Sequence, residues 1–230
     1  MEEVVTGVHL ITGVSQVYLY QEADRLTLID TGLIATAAEI FDAIASLGRR
    51  PEDLRQIVIT HSHRDHTGSL AELVDRAGAQ VLAHALDAPV VRGERREPMP
   101  VYESGPERET AERIIATVPP APPSRVDREL QDGDEIDLDV GARVVHVPGH
   151  TAGSIALYLP GRKLLFSGDA AERDLEDNVI VGVFNVDPAQ ARASFAKMAE
   201  LDFEIACFGH GAPLGREASL AFRRLAERLR

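Results

Sequence analysis

The sequence is poor in cysteine, in long apolar runs, and in basic residues relative to acidic ones. Its one cysteine, Cys207, has no partner for an internal disulfide, which indicates a reducing compartment. No apolar run approaches the roughly 20 residues that a membrane-spanning helix requires. Lys and Arg number 24 against 37 Asp and Glu, which gives a formal net charge of -13. Because nucleic acids and anionic membranes bind basic surfaces, we expect neither as a partner.

Two further absences narrow the possibilities. The first twenty residues contain Glu2 and Glu3 but no basic stretch before an apolar run, so we expect no signal peptide and a cytoplasmic protein. The sequence also contains no Gly-x-Ser-x-Gly nucleophile elbow. The length of 230 residues and an apolar content of 44% are typical of a globular protein, and we expect residues 1–230 to form one domain.

Histidine is concentrated in one short stretch. Residues 60–69 read THSHRDHTGS and place His61, His63, Asp65 and His66 within six positions. A β-branched run precedes them and an apolar-periodic run follows, which predicts a turn between a strand and a helix. Imidazole and carboxylate groups on such a turn suit zinc, iron or manganese. The alternative is a solvated polar turn; we favour a metal site because other parts of the chain supply matching ligands.

The matching residues come at the ends of other predicted strands. Asp30, His150, Asp169 and His210 each follow a short apolar run that predicts a strand. If those strands belong to packed sheets, their ends share one edge of the molecule. One tetrahedral ion takes about four ligands. The His-rich stretch and the strand-end residues together supply more than that, and so suit two metal ions.

The remaining elements follow from periodicity and turn residues. Residues 4–31 predict antiparallel strands, and residues 92–125 and 170–186 predict irregular segments, the first of which we interpret as a lid or wall beside the cluster, with one helical patch at 111–117. Helices are predicted at residues 36–47, 84–91, 188–201 and 216–230.

The run His61-x-His63-x-Asp65-His66, followed in order by His150, Asp169 and His210, resembles the ligand series of the metallo-β-lactamase superfamily, over nearly the whole chain. The resemblance implies an α/β fold, a four-layer αβ/βα sandwich with two mixed β-sheets flanked by helices. It implies two Zn²⁺ ions, with Fe or Mn as alternatives. Asp30 resembles the family's supporting acid beneath the histidines, although a cap for the following helix is an alternative. The ligands that the resemblance implies are His61, His63 and His150 for one ion, Asp65, His66 and His210 for the other, and Asp169 as the bridge.

The resemblance also implies a reaction. Relatives use a metal-bridging hydroxide to attack the carbonyl of a small ester, thioester or lactone, and this needs no protein nucleophile. Asp65 would orient the hydroxide or take up its proton. The expected partner is therefore a small-molecule acyl substrate, and the expected activity is that of a dinuclear metal-dependent hydrolase.

Departures from the better-known subfamilies restrict the substrate. Secreted β-lactamases have Cys or Ser where Asp169 stands, and acyl-homoserine lactonases have a tyrosine in the region of Glu172. Glyoxalase II enzymes add a helical domain that we do not expect here. The chain thus resembles the small, stand-alone glyoxalase II-like hydrolases. Alternatives are an iron-dependent oxygenase or redox relative, weak β-lactamase activity, and a binding protein with a silent site.

For the other polar residues the sequence predicts a structural role or leaves the role undecided. His9 and His146 lie in predicted strands, and we expect them to be packed or on the surface. His84 is expected to cap a helix rather than to touch substrate, and Cys207 is expected to be buried. The sequence does not decide whether three residues of the ligand turns orient the ligands or the substrate: Ser62, Arg64 and Thr151.

Overall fold

The computed structural model of the protein describes residues 1–102 and 105–230. Among these, the side chains of 106, 107, 110, 114 and 115 are not described. The described residues divide into two units, each with its own sheet. The first unit comprises 1–83, 88–97 and 102–129, and the second comprises 84–87, 98–101 and 130–230. The single domain expected over 1–230 stays a prediction.

The apolar alternation of the N-terminal residues produces an antiparallel run of strands, which two parallel strands then extend. The order in the seven-stranded sheet follows the sequence from β1 to β7. Parallel pairing begins at β4 and β5, because a helical connection carries the chain back across the sheet. The strands are β1 (Glu2–Val5), β2 (Val8–Ile11), β3 (Val17–Gln21), β4 (Leu26–Ile29), β5 (Leu54–Ile59), β6 (Gln80–His84) and β7 (Arg128–Leu130).

The helices of this unit bury an apolar stripe against the sheet. Leu70 and Leu73, which start one such stripe, are 0% exposed, and burial of each stabilises the fold by about 1.5–3 kcal/mol. The stripe ends where Gly78 adopts a left-handed conformation with φ of 70°. The helices are α1 (Ala37–Ser46), α2 (Arg64–Thr67), α3 (Leu70–Ala77), α4 (Ala88–Val91) and α5 (Gly105–Thr117).

The second unit contains a five-stranded mixed sheet and a separate two-stranded ribbon. Its core gathers aromatic side chains; the rings of Phe195 and Phe222 stack at 4.8 Å between centroids. The sheet order is β14-β11-β10-β9-β8, in which β11 and β14 are parallel. The elements are β8 (Glu135–Ile136), β9 (Ala142–His146), β10 (Ile155–Leu159), β11 (Leu164–Gly168), the ribbon strands β12 (Ala171–Arg173) and β13 (Val179–Val181), α6 (Pro188–Ala199), β14 (Ile205–Phe208) and α7 (Ala218–Arg228).

The expected α/β class with two mixed β-sheets flanked by helices is confirmed. Three local predictions are wrong in extent. The helix expected at 84–91 begins only at Ala88, because residues before it form a turn in which Leu86 N–H donates to His84 Nδ1 at 3.3 Å. The patch at 111–117 is the end of a longer helix, Gly105–Thr117, because helix-favouring residues such as Arg108 and Glu109 precede it.

The segment 170–186, expected to be irregular, contains the β12–β13 ribbon. Its turn is organised by Asp174, whose carboxylate accepts hydrogen bonds from the backbone N–H groups of Glu176 and Asn178, both at 2.9 Å. The segment 92–125, interpreted above as a lid or wall, includes residues 103 and 104, which lie outside the described residues. Across residues 1–102 and 105–230, no helix combines the length and apolar character needed to cross a membrane.

Candidate metal centre

The His-rich turn begins at the end of β5 and is anchored to the loop after β4. The carbonyl of His66 accepts two hydrogen bonds from Thr31, one from its backbone N–H and one from its hydroxyl, both at 2.8 Å. Gly68 N–H donates to Gly32 O at 2.9 Å, and a Cβ on Gly68 would overlap this loop. The glycine of the motif therefore permits the close backbone approach that positions the histidines.

Asp30 lies beneath these histidines and organises what we call the Asp30 cluster, formed by Asp30, Thr60, His61 and His66. Asp30 adopts a left-handed conformation with φ of 59° at the end of β4. Its carboxylate accepts hydrogen bonds from Thr60 N–H at 2.8 Å, from the Thr60 hydroxyl at 2.7 Å, and from His66 Nδ1 at 2.9 Å. Thr60 Oγ1 also lies 3.0 Å from His61 Nδ1. Because each Nδ1 faces a support beneath it, Nε2 is the nitrogen through which each ring would bind a metal ion.

The other two residues of the motif border this cluster. The His63 ring lies 4.8 Å from that of His61, and Asp65 Oδ2 lies 3.6 Å from His66 Nε2. The backbone carbonyl of Asp65 accepts a hydrogen bond from the Ser15 hydroxyl. The first unit therefore brings together the four sequence-predicted ligands of the motif.

The second unit contains a separate group, the Asp169 cluster, formed by His150, Asp169 and His210. Asp169 follows β11 directly, His150 lies in the turn between β9 and β10, and His210 follows β14. One carboxylate oxygen, Asp169 Oδ2, lies 3.5 Å from His150 Nε2 and 3.2 Å from His210 Nε2. These strands are neighbours in one sheet, which explains why residues far apart in sequence converge.

Val183 and Glu172 of the second unit hold His150 in position. The sequence had not indicated either of them as a site residue. His150 Nδ1 donates to Val183 O at 2.9 Å, and Val183 N–H donates to Glu172 Oε1 at 2.9 Å. Glu172 is buried on β12, so its carboxylate holds the backbone segment that orients the imidazole. No local motif marks these residues, because their partners lie 11 and 33 positions away.

Asp87 is a further missed residue. Its buried carboxylate accepts hydrogen bonds from the Thr151 hydroxyl at 2.7 Å and from Gly153 N–H at 2.8 Å. Thr151 N–H donates to the Ser154 hydroxyl oxygen at 2.9 Å. Thr151, left open as an orienting residue, therefore ties the turn that carries His150 to Asp87.

The three histidines that are not candidate ligands, His9, His84 and His146, occupy structural positions. His9 is buried and its Nε2 lies 3.0 Å from Gln21 Oε1. The rings of His84 and His146 stack with centroids 4.1 Å apart. Burial lowers the pKa of His84 below its ordinary value, and the positive charge of His146 lowers it further. Cys207 is buried, as expected.

The chemistry of the donors fits a metal ion. The Asp30 cluster includes a buried group of two imidazoles and one carboxylate whose candidate ligand atoms lie within 4.8 Å of one another. Both Asp30 oxygens accept hydrogen bonds, one of them from His66 Nδ1, so this carboxylate supports the His66 ring. Nitrogen and oxygen donors of this kind suit zinc, and also iron or manganese.

The chain is similar in sequence to known proteins whose names include a metallo-hydrolase, in agreement with a metal site. A probable metallo-hydrolase, YflN, of Bacillus subtilis is 28% identical, and the match covers 99% of this chain and 92% of that protein. A hydroxyacylglutathione hydrolase of Fuscovulum blasticum is 31% identical over 81% of the chain, and an acyl-coenzyme A thioesterase, MBLAC2, of Gallus gallus is 32% identical over 67%. The chain matches 57% of the length of each of the latter two.

Solved structures show the same fold. A metallo-β-lactamase variant of Cronobacter sakazakii superposes with a TM-score of 0.74 at 22% identity, covering 99% of this chain and 93% of that one. A metallo-β-lactamase family protein of Thermus thermophilus gives a TM-score of 0.69 at 24% identity, covering 98% and 80%. The family model of the metallo-beta-lactamase superfamily matches residues 10–210, a span that holds every residue of both clusters. The chain therefore belongs to the metallo-beta-lactamase superfamily.

Proposed function

We propose that the protein is a dinuclear metal-dependent hydrolase that cleaves a small ester, thioester or lactone. The observation that carries the proposal is the position of Asp169, whose single oxygen Oδ2 faces both His150 and His210 within the second unit. A carboxylate oxygen between two imidazoles, each assigned to a different ion, is the arrangement that a bridging ligand needs.

The ligand assignment follows the resemblance and the contacts within each unit. Asp65 and His66 lie side by side and would share one ion with His210. The neighbouring rings of His61 and His63 would hold the other ion with His150. Two zinc ions are proposed, because the six terminal ligands are imidazole and carboxylate groups, which zinc accepts readily.

Ions held in this way would lower the pKa of a bound water towards about 7 and would polarise a carbonyl oxygen. The protein contributes the positioning. Asp30 and the Val183 carbonyl fix the ring orientations of His66 and His150. Asp65, whose side chain is 21% exposed, would take up the proton that the attacking water loses. Asp65 is the one residue to which we assign proton transfer.

The substrate class is supported by the named activities of relatives. A hydroxyacylglutathione hydrolase and an acyl-coenzyme A thioesterase both match this chain at about 30% identity. Each is longer than the matched region, so the transfer of their activity to this chain is part of the proposal. Small acyl thioesters are therefore the first substrates to test, followed by esters and lactones.

The test combines metal analysis with turnover of an acyl panel. We expect about two metal equivalents per chain and hydrolysis of at least one thioester, ester or lactone. Asp169→Ala should lose turnover by at least about a hundredfold and retain less metal, because removal of an ionic ligand weakens both sites. Asp42→Ala, an exposed aspartate on α1, is the matched control and should behave like the wild type.

Two results would contradict the proposal. Full turnover in a folded Asp169→Ala variant would remove the assigned bridge. Oxygen uptake by the iron-loaded protein, without acyl hydrolysis under any metal, would favour the oxygenase alternative.

A further inference from the structure

A cavity of about 320 Å³ opens beside the His-rich turn within the first unit. Ser62 and Thr67, which lie between and next to the proposed ligands, line one side of it. Its apolar lining includes Leu70, Val91 and Pro122. The cavity therefore borders the proposed reaction centre and has room for part of a small substrate.

The charge of this cavity is opposite to that of the whole chain. Three arginines line it, Arg64, Arg95 and Arg96, although the formal net charge of the protein is -13. Glu97 is the one carboxylate among the described lining residues. Arg64 donates to Glu97 Oε2 from Nε at 2.8 Å and from a terminal nitrogen at 2.6 Å, so these two charges compensate each other. The excess positive charge comes from Arg95 and Arg96.

The two arginines project from an anchored turn. The backbone N–H groups of Glu94 and Arg95 both donate to Pro89 O, at 2.8 and 3.1 Å, which ties the turn to α4. The nearby Glu94 carboxylate accepts hydrogen bonds from Arg92 at 2.7 and 3.2 Å. Arg95 and Arg96 are both exposed, so their guanidinium groups are accessible to a ligand at the cavity.

We propose that this cavity binds an anionic group of the substrate and that Arg95 and Arg96 determine specificity for it. The inference rests on the proposed function, because it assigns a class of acyl substrate to the neighbouring centre. Guanidinium groups recognise carboxylates and phosphates through paired N–H donors. The anion is either a carboxylate on the acyl portion or a phosphate on the leaving group, and the apolar wall contacts the alkyl part between the anion and the reacting carbonyl.

The experiment compares charged and neutral substrates of matched acyl chain. 4-Nitrophenyl butyrate is paired with the mono-4-nitrophenyl ester of glutarate, and S-butyryl-N-acetylcysteamine is paired with butyryl-coenzyme A. The variant is Arg95→Ala/Arg96→Ala. Its control is Arg223→Ala/Arg224→Ala, an exposed adjacent pair on α7 that changes the net charge equally.

For the charged member of at least one pair, we expect the variant to raise KM about tenfold or more while kcat changes by less than about twofold. Neutral substrates should keep their KM within about twofold, since their binding does not use the arginines. The difference should shrink in about 0.5 M NaCl, because salt screens charges at an exposed cavity mouth. Equal KM increases for charged and neutral substrates would overturn the proposal.

A binding measurement separates this inference from the proposed function. Glutarate and adenosine 3′,5′-bisphosphate are titrated calorimetrically into the wild type, the variant and the control, with and without added zinc. Weaker binding of glutarate alone to the variant assigns the anion to the acyl portion, and weaker binding of the bisphosphate alone assigns it to the leaving group. If neither anion binds the variant more weakly than the control, the inference is wrong, even where the wild type hydrolyses acyl substrates. If no substrate is hydrolysed, the proposed function fails and this titration still decides whether the cavity binds anions.

Discussion

Asp30 Oδ2 lies 2.9 Å from His66 Nδ1, and both side chains are buried. The carboxylate can only accept in this contact, so His66 Nδ1 is the donor and Nε2 is the nitrogen that would bind the proposed ion. The same carboxylate holds Thr60 N–H at 2.8 Å, which fixes the backbone at the start of the His-rich turn. One buried acid thus sets both the ring orientation and the path of the chain.

Replacing Asp30 tests this double role. Asp30→Ala removes the acceptor of three buried hydrogen bonds, and we expect the metal-free protein to lose about 2–4 kcal/mol in the free energy of unfolding. Metal affinity should fall about 10–100-fold, as is typical when the support of a ligand histidine is lost. Urea unfolding and competition with a chelator measure the two effects. The exposed Asp42→Ala serves again as control; unchanged metal affinity in Asp30→Ala would exclude the supporting role.

Glu172 offers a test that separates geometry from charge. Its Oε1 accepts from Val183 N–H at 2.9 Å, and Val183 O accepts from His150 Nδ1 at 2.9 Å. Glu172→Ala removes the acceptor, so we expect a loss of about 1–3 kcal/mol in stability and weaker metal binding. Glu172→Gln keeps an acceptor oxygen and should restore most of both. If the Gln variant behaves like the Ala variant, the effect comes from charge and not from the backbone contact.

Gly182 is expected to tolerate no side chain. A Cβ at this position would overlap the carbonyl oxygen of Asp169 and lie 3.0 Å from Glu172 Oε1. Because a backbone atom cannot rotate away as a side chain can, Gly182→Ala should destabilise the protein by about 3 kcal/mol or more. Thermal or urea unfolding measures this. At Gly215 an added Cβ meets no atom within 4 Å, so Gly215→Ala should stay within about 0.5 kcal/mol of the wild type. Similar stabilities of the two variants would contradict the close approach.

His84 gives a prediction for pH dependence. Burial, then the charge of His146, lowers its pKa below the ordinary value of 6.5, while Asp87, Asp132 and Asp134 act in the opposite direction. The folded state therefore binds the proton less well than the unfolded state does. The contribution of neutral His84 to the free energy of unfolding is therefore complete above pH 6.5. It is lost as the pH falls through the lowered pKa of His84 in the folded state.

We expect the free energy of unfolding to fall below about pH 6.5, by at most about 1.4 kcal/mol per pH unit for this one group. His84→Phe keeps a ring against His146 but cannot titrate, so its stability should fall less steeply over the same range. Unfolding by urea at a series of pH values measures both proteins. Parallel curves for the wild type and His84→Phe would contradict the assignment.

The sequence alone determined most of the strands in the two large sheets, the principal helices and the candidate ligands. The alternation of residues 4–31 predicted β2 to β4, although the exposed edge strand β1 was missed because most of it lacks a buried face. The spacing of His61, His63, Asp65 and His66 and the strand-end positions of His150, Asp169 and His210 needed no structure. These signals are local: each depends on residues within a few positions, or on a turn at the end of one element.

The family resemblance already implied Asp30 as a support, but only the tertiary structure revealed the supports around His150. Asp87 lies 64 positions before Thr151, and Val183 lies 33 positions after His150, so no local pattern could pair them. The anionic subsite inferred from Arg95 and Arg96 also depends on the folding of their turn beside the His-rich loop. A ligand residue can be recognised from its type and its neighbours along the chain, because coordination demands particular donors. A supporting hydrogen bond is decided by tertiary structure, since any residue with a suitable donor or acceptor serves once the backbone brings it within reach.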